Sequence, residues 1–520
     1  MQFYEKEKVM KKRKLLPILL ALVMVLTMIP AAVFAGNETI TVSNGIWVNS
    51  ETTQQEIDEA WGEGVASVSQ QNGVYTIKFL KNLTMTTAYL PISIGVQNGG
   101  NDQPMIILDL NGCTITSNTT VISNYGNLTI KDSLGTGRVL YNGNAYLCAV
   151  NNNGYKMIIE GGNFECQGAG SAMYNAAISS SANTTTIING GNFEGNNAGA
   201  LITYGEVVIN NGTFEGKYGV VSKKGSSSVG SITFSEECNA VINAESTAFV
   251  VHGDGNSDGH IYVAGGTYNA SNIVGKLDAA NTAEAVSITG GIYEKDPSAW
   301  VSDDIAVANL TASGGENPSA YAVGGNDISI LVSGAEKGDE IDILSGSIEL
   351  TEIDDGVVIK NSGTGTVTVN GEVVTGGNSV TVCNHTWGDP VWKWEADNSA
   401  ATASFTCEKD QTHTETVDAV ISKEVTTPAT CTNEGITTYT ATVEFNGKTY
   451  TDVKSLSNIA KIAHTYKDGK CIVCGAVDPE YKSDSSAQTG DDFNMAIPFV
   501  AAGLALAAMA AVVATRKRHN

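Results

Sequence analysis

The stretch TTIINGGNFEG, residues 185–195, holds a β-branched run, a pair of small turn residues, one more residue and an aromatic ring. The same order recurs in MIIEGGNFECQG (157–168), EVVINNGTFEG (206–216), IYVAGGTYNA (261–270) and SITGGIYEK (287–295). β-Branched runs favour extended backbone, and Gly-Gly or Asn-Gly permits the positive φ of a sharp corner. The rings are Phe164, Phe193, Phe214, Tyr268 and Tyr293, with Phe234 in GSITFSEE as a degenerate member; successive spacings are 29, 21, 20, 34 and 25 residues. Such a period, irregular but near 20 to 30, is that of a solenoid whose coils carry loops of different lengths. Strands of successive coils stack about 4.8 Å apart, so the rings are expected to form one ladder.

Upstream, PMIILDLNGCTITSN (104–118) and GNLTIKDSLGTGRVLYNG (126–143) follow the same plan of strand, turn and strand. On the phrases LDLNGCTI, LTIKDS and the serial GGNF and GGTY units, the chain resembles the right-handed parallel β-helix proteins of the pectate-lyase-like superfamily, over residues 105–300. The open end of such a stack is an unpaired sheet edge that needs a cap. TTQQEIDEAWGEG (52–64), with Ile57 and Trp61 four apart, predicts a short amphipathic helix, and residues 36–104 are expected to form the N-terminal cap.

The termini have a different character. Residues 1–35 run from a basic head through an apolar middle to small residues, the layout of a secretory signal peptide cut after Ala35. Near the other end, MAIPFVAAGLALAAMAAVVA has no charge over 20 residues, and as a helix it would be about 30 Å long, enough to cross a bilayer. Residues 495–515 are therefore read as a transmembrane segment and 516–520 as a basic cytoplasmic tail. Between the ends, 53 acidic residues face 21 basic ones, which argues against nucleic acid as a partner.

Residues 301–382 carry further β-like phrases, including VNGEVV with an Asn370-Gly371 hairpin signal, and form a β-rich connector. Composition then changes. Residues 383–478 hold five of the nine cysteines and three of the six tryptophans, and TTYTATVEFNGKTYTDVK (437–454) predicts a hairpin at Asn446-Gly447. The expectation is a small all-β, sandwich-like Cys/His module. The run HTYKDGKCIVCG contains a C-x2-C knuckle, so His464, Cys471 and Cys474 are candidate Zn²⁺ ligands. Cys407 with His413, or Cys383 with His385, could complete four, and Cys407 is the favoured fourth ligand. Disulfides suit an exported chain, although five cysteines leave one over and a bridge within C-x2-C is strained. The pattern of Cys, His and Trp here resembles a module of surface proteins from gut Firmicutes, which implies export and display without an assigned activity.

HGDGNSDGH (252–260) supplies Asp254, Asn256 and Asp258 in the spacing of the first half of a Ca²⁺ loop, but Gly265 stands where a closing Glu belongs; a polar turn is the simpler reading. The strands TTIINGG, EVVINNG, GSITFSE and AVSITGG present scarcely a charge outward, so no catalytic residues are assigned. Enzymes of this fold need converging carboxylates with a basic partner.

Finally, residues 479–494 form a polar stalk containing SAQTG, followed by the apolar run and RKRHN. The order resembles a Gram-positive LPxTG cell-wall sorting signal, which implies sortase cleavage between Thr489 and Gly490, with Ala487 and Gln488 in the recognised motif. Ser486 and Ala487 depart from Leu and Pro. Without cleavage the apolar helix itself would be the anchor. The sequence thus predicts an all-β, right-handed parallel β-helix followed by the Cys/His module, attached to peptidoglycan or membrane. It is read as a non-catalytic adhesin or glycan-binding display protein facing glycans or a host surface. A surface polysaccharide lyase or glycoside hydrolase and a ligand-free spacer are the alternatives. No cofactor is required, with structural Zn²⁺ or Ca²⁺ as options.

Overall fold

The computed structural model describes residues 38–86, 91–96, 103–168, 170–175, 184–225 and 228–482. Ala35, the 487–490 motif and both terminal apolar runs lie outside them; among the described residues no helix is long and apolar enough to cross a membrane. Two compact units divide the chain between Asn384 and His385.

The first unit is all-β and dominated by parallel pairing. One ladder runs through the strands Val74–Phe79, Met105–Asp109, Asn127–Lys131, Lys156–Ile159, Thr185–Ile188, Glu206–Ile209, Ser231–Phe234, His260–Val263 and Val286–Ile288. Their alternating exposed and buried residues, as in Lys156–Ile159, turn one side of each strand inward. After each corner the chain enters a second ladder, and then a third, before returning to the first. Residues of one coil thus pair in parallel with residues of the next.

The aromatic ladder lies just past the corner. Leu83, Ile115, Val139, Phe164, Phe193, Phe214, Ile242, Tyr268 and Tyr293 occupy one register position through successive coils. All are buried. Phe164, Phe193 and Phe214 stack nearly face to face with centroids 5.0 and 4.9 Å apart, and Tyr268 and Tyr293 do so at 4.9 Å. Phe234 is not a member. It ends a strand of the first ladder, and Ile242 takes the register position expected for it. The Phe234 ring instead meets Tyr268 edge-on at 5.5 Å, filling the same core from another wall.

The corners follow their chemistry. Gly162, Gly191, Gly212, Gly266 and Gly291 have φ between 107° and 129°, a range that L-residues rarely adopt. The LDLNG and IKDS phrases work by cross-linking coils: Asp109 accepts N–H bonds from Asn111 and from Ser133, one coil on, and Asp132 accepts from Gly112 at 2.7 Å.

Both ends of the stack are closed. The predicted helix forms at Gln54–Trp61, with Thr53 as N-cap in a capping box with Glu56. It buries Ile57 and Trp61, the latter stacked on Phe79 at 5.3 Å. Parallel coiling nonetheless begins earlier than expected, since Thr39–Val42 pairs with Asn82–Met85 within the region read as a cap. At the far end Ala320–Val323 pairs antiparallel with Gly291–Tyr293 and stops the parallel ladder. The connector adds its own core around Ile328, Ile341, Ile343 and Ile359. Its Asn370-Gly371 hairpin forms as predicted, with φ of 50° and 88°.

The second unit has two three-stranded antiparallel sheets, Val391–Trp394, Ala401–Thr406 and Thr414–Asp418, then Val420–Thr427, Gly435–Phe445 and Lys448–Ile459. Ala403, Phe405 and Val443 are its buried centre, with Phe405 stacked on Phe445 at 4.1 Å. This meets the all-β expectation, but the packed part is small. The Asn446-Gly447 hairpin is present.

Candidate functional site

Eight Cys and His residues fall into two groups, in each of which the ligand atoms all lie within 4.8 Å of one another: Cys383, His385, Cys407 and His413, and Cys431, His464, Cys471 and Cys474. This corrects the expected ligand set. Cys407 does not join His464, Cys471 and Cys474; Cys431 does, from the turn that precedes Gly435–Phe445. The missed signal was the odd cysteine count. Three thiols with one His, and two thiols with two His, leave none over.

The 431/464/471/474 group is built on tight turns. Asp468 and Gly469 have φ of 51° and 76° and close the hairpin of Tyr466–Lys467 with Lys470–Cys471. Past Cys471 the chain turns back on itself, Gly475 N–H donating to the Cys471 carbonyl at 2.9 Å and Cys471 N–H to that of Ala476 at 2.8 Å. That fold brings the C-x2-C sulfurs to one side. Cys431 Sγ is 3.8 Å from Cys471 Sγ, and Cys474 Sγ is 3.4 Å from His464 Nδ1. A disulfide needs sulfurs at about 2.05 Å. Two thiolates on a tetrahedral Zn²⁺, with bonds of about 2.3 Å, sit about 3.8 Å apart, and a thiolate and an imidazole nitrogen about 3.5 Å.

The electrostatics favour a thiolate at Cys471 and oppose one at Cys431. N–H groups of Cys474 and Val473, with His464, bring the Cys471 thiol down to about 5. Its neighbour Cys431 goes the other way, to about 11, because it hydrogen-bonds Cys474 and shares the space with Cys471. Three thiols this close cannot all ionise without a cation among them. In the other group burial opposes ionisation of Cys407, but bonds from His385 and from the backbone of Asp410, Lys409 and Thr386 outweigh it and set the thiol at about 6. His413 Nδ1 is buried without a hydrogen-bond partner, a lone pair or proton left for something else.

The Asp254 loop spends its carboxylates on itself. Asp254 Oδ1 accepts from Asn256 and Ser257 N–H at 3.0 and 2.9 Å while its other oxygen pairs with Lys224. Asp258 accepts from Gly255 and Asn281 N–H. Asn256 contributes its backbone to this turn, and nothing gathers the three around a cation. His252 pairs with Asp278 at 2.8 Å.

A charged row that the sequence reading passed over lies one residue beyond the aromatic ladder. Glu165, Glu194 and Glu215 share one register position on successive coils, followed by Asn243 and Asn269. Arg138 makes a two-pronged pair with Glu165, and Glu215 accepts from Asn243 at 3.1 Å. Partial burial first, then the carboxylates on either side, raise the pKa of Glu194, with Arg138 opposing. Its signal in the sequence is the repeated F-E of GGNFE and GTFE, just past the corner.

Near the N-terminal helix, Trp47 is 43% exposed and its ring lies 5.0 Å from that of Tyr125. It borders an open groove lined also by Ser43, Asn44, Glu56 and Glu59.

No protein family, no curated protein and no solved structure matches this chain.

Proposed function

We propose that the protein is a non-catalytic display or adhesion rod of the cell envelope, with a right-handed parallel β-helix of the pectate-lyase-like type as its body and glycans as its contact. Export rests on the residue 1–35 leader, and attachment on the C-terminal apolar run, with or without cleavage after Thr489. The observation that carries the glycan reading is the Trp47 groove. An accessible indole beside carboxylate and amide groups offers a sugar ring one apolar face and several hydroxyl partners. The Cys/His groups are read as structural Zn²⁺ sites, on the sulfur and nitrogen spacings above.

A second reading draws on the glutamate row. Stacked carboxylates about 4.8 Å apart, one with a raised pKa and one held by Arg138, are the kind of group that serves glycosidic-bond cleavage. The exported protein tested on a glycan array and on polysaccharide digests separates the two. Binding that Trp47→Ala abolishes, without new reducing ends or unsaturated uronides, is expected; product formation that Glu194→Gln abolishes would replace display with hydrolysis or lyase chemistry.

A further inference from the structure

Past Val443, the buried side chains of the second unit's apolar core come to an end: in residues 460–482 Cys471 is the one apolar side chain out of solvent, while Ile462, Ile472, Val473, Val477 and Tyr481 are all at least half exposed. Twenty-odd residues with no core of their own cannot offset the entropy of being ordered, at about 1–2 kcal/mol per residue for the backbone. A few backbone bonds, such as Ile462 N–H to the Thr430 carbonyl at 3.1 Å and the two-residue hairpin, do not change that balance. Yet the segment is folded, and it meets Cys431 through His464, Cys471 and Cys474.

We infer that one Zn²⁺ held by Cys431, His464, Cys471 and Cys474 is the element that folds residues 460–482 onto the module, so that metal loading switches this segment between folded and extended chain. The inference rests on the reading of the Cys/His groups as Zn²⁺ sites. The four donors are a thiophilic set that excludes Ca²⁺ and Mg²⁺, which take oxygen ligands. Their spacing matches a tetrahedral ion and not a disulfide. The metal ties together points 33 to 43 residues apart in the chain, Cys431 on one side and His464 to Cys474 on the other, and so closes a loop that apolar contacts leave open. The other group differs: its Cys407 continues the strand of Phe405, inside the packed centre, and His385 stacks on Trp387, so its metal would reinforce a fold that already has a core. Release of residues 460–482 would free up to about 80 Å of extended chain shortly before the 487–490 motif, which makes metal supply a control on how far the module stands from its anchor.

The test uses the full exported chain, its metal content measured by mass spectrometry, and limited trypsin digestion with and without a Zn²⁺ chelator, reading cuts after Lys467 and Lys470. With metal present, these sites are expected to resist; chelation, or Cys474→Ser, should raise cutting there by about tenfold or more, and Zn²⁺ addition should reverse the chelator effect. Cys407→Ser should lose one metal equivalent and leave Lys467 and Lys470 protected. A protein that binds no metal as purified or after Zn²⁺ addition would sink both the metal reading and this inference. Metal that binds while Lys467 and Lys470 are equally resistant with and without it would overturn the inference alone. A mass 2 Da short with a disulfide among Cys431, Cys471 and Cys474 would also overturn it.

Discussion

The coil stack and the second unit solve the same problem, holding β-strands together, by opposite means. In the stack every coil repeats the last, so one buried register position, Leu83 through Tyr293, runs through successive coils and each inward side chain rests on the one before it. In the second unit a centre of three buried side chains supports almost a hundred residues, and two clusters of Cys and His side chains gather where apolar contacts end. Repetition makes a core continuous; without it, a short chain needs a few strong local ties. The difference also divides the cysteines: Cys113, Cys148, Cys166 and Cys238 are buried in the stack, where burial raises the thiols of Cys113 and Cys238 to about 11, whereas those at the metal groups include thiols brought down to about 5 and 6. The first kind packs as a small apolar side chain, and the lowered thiols of the second have the chemistry of metal ligands.

The largest expected break in this contrast comes from metal removal. A chelator should release residues 460–482, weaken the rest of the second unit and leave the stack untouched, so that thermal unfolding followed by circular dichroism shows one transition shifted to low temperature and one unmoved. Structural Zn²⁺ in small domains is worth about 10–16 kcal/mol of binding free energy, far more than any single contact here. A shift of both transitions together would mean that the metal is not specific to the module.

Next in size is Phe193→Ala, in the middle of the ladder and stacked on both sides. It should destabilise the stack by about 3–5 kcal/mol and leave the second transition in place. Equilibrium denaturant unfolding of the variant measures this. A loss below about 1 kcal/mol would show that neighbouring coils collapse into the gap.

How far these features were legible differs between the two regions for a physical reason. A repeated corner announces itself: GGNF and GGTY recur because these coils need the same positive φ and an inward ring, and the serial phrases mark the aromatic ladder, whereas the first coils, from Thr39–Val42 on, lack the phrase and are legible only in the pairing. Phe234 misled because sequence spacing does not say which wall of a coil a ring comes from; Ile242, a less conspicuous residue, held the place. The glutamate row was equally visible as F-E, but it becomes a row only once strands are in register. In the second unit the C-x2-C knuckle and its His were plain, because local turns bring them together. Their fourth partner was not, since Cys431 lies 40 residues before Cys471 and only the path of the second sheet decides which cysteine arrives.

A smaller effect probes the end of the stack. Thr53→Ala removes the N-cap of Gln54–Trp61, the helix whose Trp61 stacks on Phe79. The loss should be about 1 kcal/mol, read as a lower midpoint for the stack alone. Thr53→Ser should restore most of it, because the hydroxyl that accepts the Glu56 N–H is retained.

The smallest effects are of opposite sign, and they distinguish the two acidic environments of the stack. Asp109 is buried, which raises its pKa, but the Ser133 hydroxyl, two N–H groups and Lys131 more than reverse this and hold it below the usual carboxylate value. Its contribution is therefore present above the unfolded-state pKa, about 3.9, and is lost as pH falls through the lower folded value. Glu194 is the reverse. Partial burial and the flanking Glu165 and Glu215 raise it, so the folded state binds its proton more tightly, and the stability it contributes is complete below about pH 4 and lost as pH rises through the folded value. Glu194→Gln should therefore stabilise the stack at neutral pH, by about 0.5 kcal/mol or less because solvent reaches this side chain, and the gain should vanish in acid. Asp109→Asn should cost stability at neutral pH and matter less as the wild-type carboxyl takes up its proton. Unfolding midpoints of both variants between pH 3 and 8 give the two slopes. If Glu194→Gln destabilises across that whole range, the row holds the carboxylate as a favourable charge, and a cation or a cationic partner bound along Glu165, Glu194 and Glu215 becomes the better account of why three consecutive coils keep an acid at the same position.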